Sequence, residues 1–294
     1  GIAHLIDHPD ATVEELTQYI QGPDFPTGGI IYNKKDILAT YATGRGGIVV
    51  RGKAEIEEGE GKRGEGAFRI VITEVPYQVN KANLVTKIAE LVQKKKIEGI
   101  RDLRDESDRE GMRVVADLKK DAYPKKVLNQ LYNSTELQTT FHVNMLALVD
   151  GIQPRVLNLK NMLEEYVKHR REVVRRRAEF DLTRAKERAH ILEGLHKALD
   201  AIDAVIATIK KSKDREDAKR NLIAKFRLTE IQANAILEMK LSQLAHLEQQ
   251  KIEDELKEKR ALIKELESLL SSPKRILGVV KQETADVKKK YGDE

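Results

Sequence analysis

The chain has 294 residues, 34 % of them charged, with 53 Lys and Arg against 48 Asp and Glu and a net charge of +5. That length allows two domains of ordinary size, and no apolar run approaches the roughly 18 residues of a membrane span. The absence of cysteine removes disulfides, thiol nucleophiles and cysteine-based zinc sites together, and fits a reducing cytoplasm.

No basic stretch followed by an apolar one marks a secretory signal, and Gly1-Ile-Ala-His-Leu5 is expected to continue a segment further upstream. Residues to about Ile20 read as a helix: Thr12 suits an N-cap, and Glu15 completes a capping box. Pro23, Pro26, Gly28 and Gly29 then break the chain. Ile48 to Ile56 and Phe68 to Val75 have strand character, and the Gly59 to Gly66 turn between them predicts an antiparallel hairpin with a long exposed loop. Asn80 can cap a helix whose Leu84, Ile88, Leu91 and Val92 form an apolar stripe. Met112 to Leu118 reads as another strand, and Pro124 suits the first turn of a helix through Leu131. Strands before, between and after helices predict an α+β layer with helices over one sheet face.

After Pro154 the composition changes, and Asn158 to Lys210 contains no proline and a single glycine. Leu192, Leu199 and Ile206 recur every seven residues, as do Leu195, Ile202 and Ile209, the a/d seam of packed helices. A second seam follows through Ile252, Leu256, Ile263, Leu266 and Leu270, interrupted by Lys259. Two long helices separated by a short segment most simply form an antiparallel hairpin. Ser271-Ser272-Pro273 ends the return helix, and a final helix runs to about Lys290. The separating segment, Asp214 to Leu247, is also helical, with Thr229 and Gln232 as a capping box. Its Ile231, Ala235, Ile236 and Met239 form a narrow apolar face that a partner copy can reach.

Arg45, Arg51 and Lys53 lie in and after a glycine-rich turn entering a strand. They are either phosphate contacts, which position DNA without reading its sequence, or an ordinary solvated hairpin. Asp102, Asp105, Glu106 and Asp108 alternate with Arg101, Arg104 and Arg109, a pattern for a surface ion-pair network rather than a metal cluster. Between Lys168 and Arg188 there are nine Lys and Arg and four Asp and Glu. Arg170, Arg177, Arg184 and Arg188 fall on the same helical stripe as Leu163, Leu192 and Leu199. Unpaired buried charge is costly, so ion pairs to the return segment are expected, with Glu283 a candidate partner; a positive lining for a DNA cavity is the alternative. The histidines are expected at the surface. No glycine-rich phosphate loop follows a strand, so no ATP site is expected. Tryptophan is absent and aromatics make up 4 % of the chain, which argues against a stacking platform for single strands.

Seven segments carry a family likeness in order and spacing. They are Gly22-Pro-Asp-Phe-Pro-Thr27, Thr43-Gly-Arg-Gly46, Glu74-Val-Pro-Tyr-Gln-Val-Asn-Lys81 and Leu103 to Arg113, then His169 to Val174, Arg188 to Gly194 and Leu228 to Leu237. Together they resemble the bacterial DNA gyrase A subunits, type IIA topoisomerases. The Pro-Tyr-Gln-Val-Asn-Lys form is closer to gyrase than to topoisomerase IV. Asp150-Gly-Ile-Gln-Pro154 carries one residue more than the family pattern, and Phe141-His-Val-Asn144 departs from it.

The resemblance implies an α+β tower domain, then a long antiparallel coiled coil with a small helical dimerisation globule at its tip. It implies a helical linker over 1–21 from an upstream winged-helix region, the tower over 22–157 and an outgoing helix over 158–213. An exit-gate globule over 214–247, a returning helix over 248–272 and a C-terminal helix over 273–294 complete it. The cutting tyrosine of the family belongs to the winged-helix domain, so no catalytic residue is assigned, and Tyr77 is expected to pack the strand-to-helix turn. DNA contact through Arg45, Arg51 and Lys53 and a homodimer through Ile231, Ala235, Ile236 and Met239 are implied. So are a gyrase B polypeptide in an A2B2 holoenzyme, ATP and Mg²⁺ used through that second polypeptide, negative supercoiling by double-strand passage, and a cytoplasmic, nucleoid-associated setting. No metal, cofactor or membrane is expected at this chain. The alternatives are the equivalent part of topoisomerase IV and, from another class, a non-enzymatic coiled-coil adaptor.

Overall fold

Pro9 disfavours helical geometry at His8, and the first predicted helix accordingly forms as two short pieces, α1 (Ile2–Asp7) and α2 (Val13–Leu16). A computed structural model of the protein describes residues 1–59, 67–240 and 246–292. The predicted capping box is present at α2: Thr12 Oγ1 accepts the Glu15 N–H at 3.2 Å, and the Glu15 carboxylate accepts the Thr12 N–H at 2.8 Å. The chain divides into two units, Gly1–Glu165 and Tyr166–Glu294.

The first unit is α+β. After β1 (Ile30–Ile31), α3 (Lys34–Thr43) leads into β2 (Arg45–Arg51), and β3 (Ala54–Gly59) follows. The run predicted as one strand from Ile48 to Ile56 is therefore divided. Gly52 marks the division, where a Cβ would lie 2.4 Å from Glu74 O and 2.6 Å from a Leu137 methyl. The predicted hairpin forms from its second half alone: β3 pairs antiparallel with β4 (Ala67–Ile72), from Ala54↔Ile72 to Gly59↔Ala67. Most of the predicted long loop, residues 60–66, lies outside the described residues.

The remaining elements of this unit are α4 (Lys81–Gln93), β5 (Ile100–Asp105), β6 (Val114–Leu118), α5 (Pro124–Ser134), β7 (Gln138–Asn144), β8 (Leu146–Val149) and β9 (Gln153–Val156). They complete three antiparallel sheets, ordered β1-β2-β7, β3-β4-β6-β5 and β8-β9. As expected, helices cover the four-stranded sheet. Leu84 and Ile88 of α4 and Val127 and Leu131 of α5 are buried with Ile70, Ile72, Val114, Ala116 and Leu118 of the strands. Fully burying one such Leu or Ile contributes about 1.5–3 kcal/mol, so this layer is the main source of order in the unit. A second cluster joins Leu5, Leu16, Ile37, Tyr41, Ile48 and Leu159. Asp150-Gly-Ile-Gln-Pro154 spans the β8–β9 loop, where Asp150 and Gly151 take positive φ and Ile152 is 84 % exposed.

The second unit is helical. It receives α6 (Leu159–Asp200), which begins in the first unit, and adds α7 (Ile202–Lys211), α8 (Arg215–Phe226), α9 (Glu230–Leu237), α10 (His246–Leu270) and α11 (Pro273–Tyr291). With 42 residues, α6 is about 63 Å long at 1.5 Å per residue. Ala189 and Leu192 pack with Ile252, Leu256 and Ile263 of α10, joining the two predicted seams. The first seam does not run on unbroken. Ala201 leaves helical geometry (φ −123°, ψ 37°), and Leu195 and Ala198 before it, with Val205 and Ile209 beyond it, pack with Leu222, Leu228, Ala233 and Ile236 instead. The sevenfold spacing thus continues across a break and serves two cores. No described helix is long and apolar enough to cross a membrane.

Candidate nucleic-acid and dimer interfaces

Thr43-Gly-Arg-Gly46 ends α3 and begins β2. Gly44 takes φ +76°, a conformation that favours glycine, and a Cβ there would lie 2.2 Å from Leu157 O. At Gly46 a Cβ would meet Thr40 Oγ1 at 2.0 Å. The two glycines therefore press the turn onto Leu157, just ahead of α6, and onto α3, and Arg45 between them is exposed. Arg51 has a different environment. Its guanidinium lies 4.7 Å from the Tyr32 ring centre and 4.9 Å from that of Tyr132, and its Nε donates to Gln138 Oε1. The Tyr132 hydroxyl, raised above its ordinary pKa by burial, donates to Gly52 O at 3.0 Å. Lys53 is exposed, with Glu55 3.7 Å away. Arg45 and Arg51 stand at opposite ends of β2, about 20 Å apart at the usual strand rise. The three basic residues thus do not form one cluster.

The other motifs meet at Glu74 and Tyr77. The Glu74 carboxylate accepts the Gly29 N–H, and Gly28, at φ +70°, leaves room that a Cβ would close to 2.3 Å. The Tyr77 ring lies 5.8 Å from Phe25 and 6.0 Å from Phe141, which are 4.9 Å apart edge to face. Tyr77 therefore packs the turn into α4, as its sequence setting suggests, with two aromatic partners that spacing along the chain did not reveal. Asn80 caps α4 by accepting the Asn83 N–H at 3.1 Å. Beside this group lies a cleft of about 550 Å³ lined by Tyr77, Asn80, Asn83, Glu136, Thr140 and His142.

The carboxylates around β5 have cationic and backbone partners. Arg104 binds Asp102 at 2.6 Å, Asp117 at 2.7 Å and Glu106 at 3.1 Å. Asp105 binds Lys81 at 2.7 Å, and the hydrogen bonds from Lys81 and Ser107 hold its carboxyl at about 2. Asp108 accepts the Glu110 N–H at 2.8 Å in a turn. Among the described residues no group of three or more His, Asp or Glu could hold a metal ion.

In the helical unit the arginine stripe finds carboxylates. Arg170 binds Glu283 at 2.6 Å and Arg177 binds the other oxygen of the same carboxylate. Arg188 binds Glu255 at 2.7 Å and Arg260 binds Glu193 at 2.8 Å. Arg184 lies over the Phe180 ring, 5.3 Å from its centre. Burial alone would raise the Glu283 carboxyl, but hydrogen bonds from Arg177 and Arg170 outweigh it and hold the group below its ordinary value.

On α9 the predicted capping box is present, with Gln232 N–H donating to Thr229 Oγ1 at 3.3 Å and Thr229 N–H to Gln232 Oε1 at 3.1 Å. The four apolar residues do not share one face. Ile231 is 60 % exposed, Ala235 and Met239 are half-buried, and Ile236 is 3 % exposed inside the unit's own core. Ile231 and Ala235, one turn apart on α9, face outward, and Met239 follows just past the end of the helix.

A family model for the A subunits of DNA gyrase and topoisomerase IV matches residues 1–285. The chain belongs to this family. It is 56 % identical over 295 residues to the DNA gyrase A polypeptide of Clostridium acetobutylicum, covering 100 % of this chain and 35 % of the relative. It is 51 % identical to the Staphylococcus epidermidis gyrase A polypeptide, covering 32 % of it, and 49 % identical to that of Staphylococcus aureus, covering 33 % of it, with all of this chain aligned each time. The chain spans about a third of the length of the curated relatives it matches. Within this family frame, the joined motifs of the first unit and the capped α9 of the second are the two regions that hold candidate interfaces.

Proposed function

We propose that the chain supplies the DNA-supporting and dimer-holding parts of the A polypeptide of a type II DNA topoisomerase. The α+β unit is the tower that flanks the cleaved DNA segment, with Arg45 and Lys53 offered to phosphates and Arg51 holding the β2 end in place. The helical unit is the coiled coil, and α9 with its surroundings forms the exit gate where two copies meet. The observation that carries this reading is the relationship to gyrase A polypeptides along the whole chain, together with outward apolar residues on a capped helix.

The chemistry of strand passage belongs elsewhere in such an assembly. The cutting tyrosine would come from the winged-helix domain of the full-length A polypeptide, and ATP and Mg²⁺ from the gyrase B polypeptide in an A2B2 complex in the bacterial cytoplasm. Residues 1–294 alone are expected to leave supercoiled plasmid uncut. A gate that opens and closes needs a small apolar contact rather than an extensive one, which suits Ile231, Ala235 and Met239.

Sedimentation equilibrium at low and moderate salt tests the gate. A dimer that persists in salt and dissociates on Ala235→Glu supports it. A dimer indifferent to that charge would place self-association elsewhere and favour a coiled-coil adaptor.

A further inference from the structure

We infer that a lysine-rimmed cleft between the end of α4 and the start of α5 is a second contact for duplex DNA, engaging phosphates rather than bases. The inference rests on the reading that the α+β unit supports DNA. The cleft measures about 500 Å³ and is lined by Lys95, Lys119 and Lys126, with Glu98, Asp121 and Tyr123. Lys96, Lys120 and Lys125, their chain neighbours, are exposed. Three lysines from separate segments thus line one opening, against two carboxylates.

The convergence is built into the backbone. Lys119 N–H donates to Gly99 O at 2.8 Å, which ties the end of β6 to the turn after α4. Gly99 takes φ +96°, and a Cβ there would lie 2.9 Å from Ala122 and 3.0 Å from Val127. The turn therefore abuts the start of α5. Lys95 takes φ +53° just past the end of α4, where Lys96 N–H and Ile97 N–H both donate to Leu91 O. Glycine is the usual residue in that position, and here it carries a charge.

The chemistry of the rim selects the ligand. Lysine offers a mobile point charge with no fixed fork, suited to phosphates of any sequence. Contacts of this kind position a duplex without reading it. Tyr123, 73 % exposed, is the single aromatic side chain in the lining, whereas grooves for single strands interleave aromatics along the backbone. This surface is separate from Arg45 and Lys53, which lie elsewhere in the unit, so it would extend the length of duplex that the unit engages.

The test is fluorescence anisotropy of a short labelled duplex with the whole chain across a salt series. Neutralising the three lining lysines (Lys95→Gln, Lys119→Gln and Lys126→Gln together) should reduce affinity about a hundredfold at about 0.1 M salt. The slope of log K against log salt should shrink by about 2 to 3, as expected for three phosphate contacts. The matching Lys→Arg triple should keep the slope, and equal melting temperatures would show that both variants fold. If the Gln triple binds within about twofold with unchanged slope while Arg45→Ala weakens binding, the cleft is overturned and the DNA-supporting role stands. If the parent chain binds no duplex even at low salt, both readings fall.

Discussion

Gly194 of α6 lies directly beneath the side chain of Gln232 of α9: a Cβ on Gly194 would sit 2.6 Å from both Cβ and Cγ of Gln232. The same glutamine donates from Nε2 to His190 O at 2.8 Å and accepts the Thr229 N–H with Oε1. One side chain thus caps its own helix and fastens it to the long one. Glycine in a helix interior costs about 1 kcal/mol against alanine, so removing it would ordinarily stabilise. Here Gly194→Ala is expected to destabilise the helical unit by about 1–3 kcal/mol, the range for overpacking a tight contact. Urea denaturation followed by circular dichroism measures this, and Gln232→Ala in the same chain should recover little of the loss, because alanine keeps the Cβ that the new methyl meets at 2.6 Å. A Gly194→Ala protein as stable as its parent would mean that α9 is not seated on α6 in solution.

Glu283 serves two arginines, Arg170 and Arg177, and so pins α11 to α6 at two points one heptad apart. The group is partly exposed, and exposed pairs contribute little, so Glu283→Gln should cost about 1 kcal/mol at low salt. The carboxyl is held below its ordinary pKa, so its contribution is present above the unfolded value near 4.3 and is lost as pH falls through the lower folded value. Thermal melts at two salt concentrations check the first point: the difference between parent and variant should narrow in high salt. A difference that salt leaves untouched would assign the effect to packing.

The α+β layer was legible because its signals were local. Asn80, Pro124 and the α4 stripe each mark an element by themselves, and the capping boxes at Thr12 and Thr229 appear with both hydrogen bonds. What stayed hidden depended on distance along the chain. Nothing near Gly52 says that the strand run changes sheets there, because the reason is the carbonyl of Glu74 and the side chain of Leu137. Sevenfold spacing links Leu195 to Ile209 across Ala201, and only three-dimensional packing shows that these two belong to a different core from Leu192. Of the four apolar residues read as one face of the segment 214–247, Ile236 sits well off the line of Ile231 and Ala235 and Met239 lies past the end of α9, and a narrow stripe on a short helix leaves little in the sequence to separate them. The three lysines of the cleft are ordinary one by one. Their meaning comes from Gly99, which brings their loops together.

Lys81 and Asp105 join two motifs that lie far apart in sequence, at 2.7 Å. The folded carboxyl titrates at about 2, against about 3.9 in an unfolded chain. Its depressed value means that the pair adds stability above about pH 4 and loses it as pH falls from there through 2. Both side chains are partly exposed, so the effect should stay below about 1 kcal/mol. The Lys81→Met variant should therefore melt lower than the parent at pH 5, with the gap closing as pH falls to 2. Melting curves that stay parallel across that range would show that Asp105 takes its low value from Ser107 instead.

Arg45 and Arg51 can be told apart by asking each variant two questions. Arg51 is held between Tyr32 and Tyr132 and donates to Gln138. Two cation–π contacts of about 0.5–1 kcal/mol each and a hydrogen bond give Arg51→Ala an expected cost of about 2 kcal/mol in unfolding free energy. Its DNA salt slope should stay as in the parent, because the guanidinium is already engaged. Arg45 is exposed between two glycines, so Arg45→Ala should leave stability within about 0.5 kcal/mol and lower the salt slope by about 1. Urea titrations and salt-series anisotropy on the two proteins give the four numbers. If the pattern reversed, with Arg51→Ala losing the slope, the tyrosine sandwich would be a resting position from which that arginine is released to phosphate, and β2 would present cations at both of its ends.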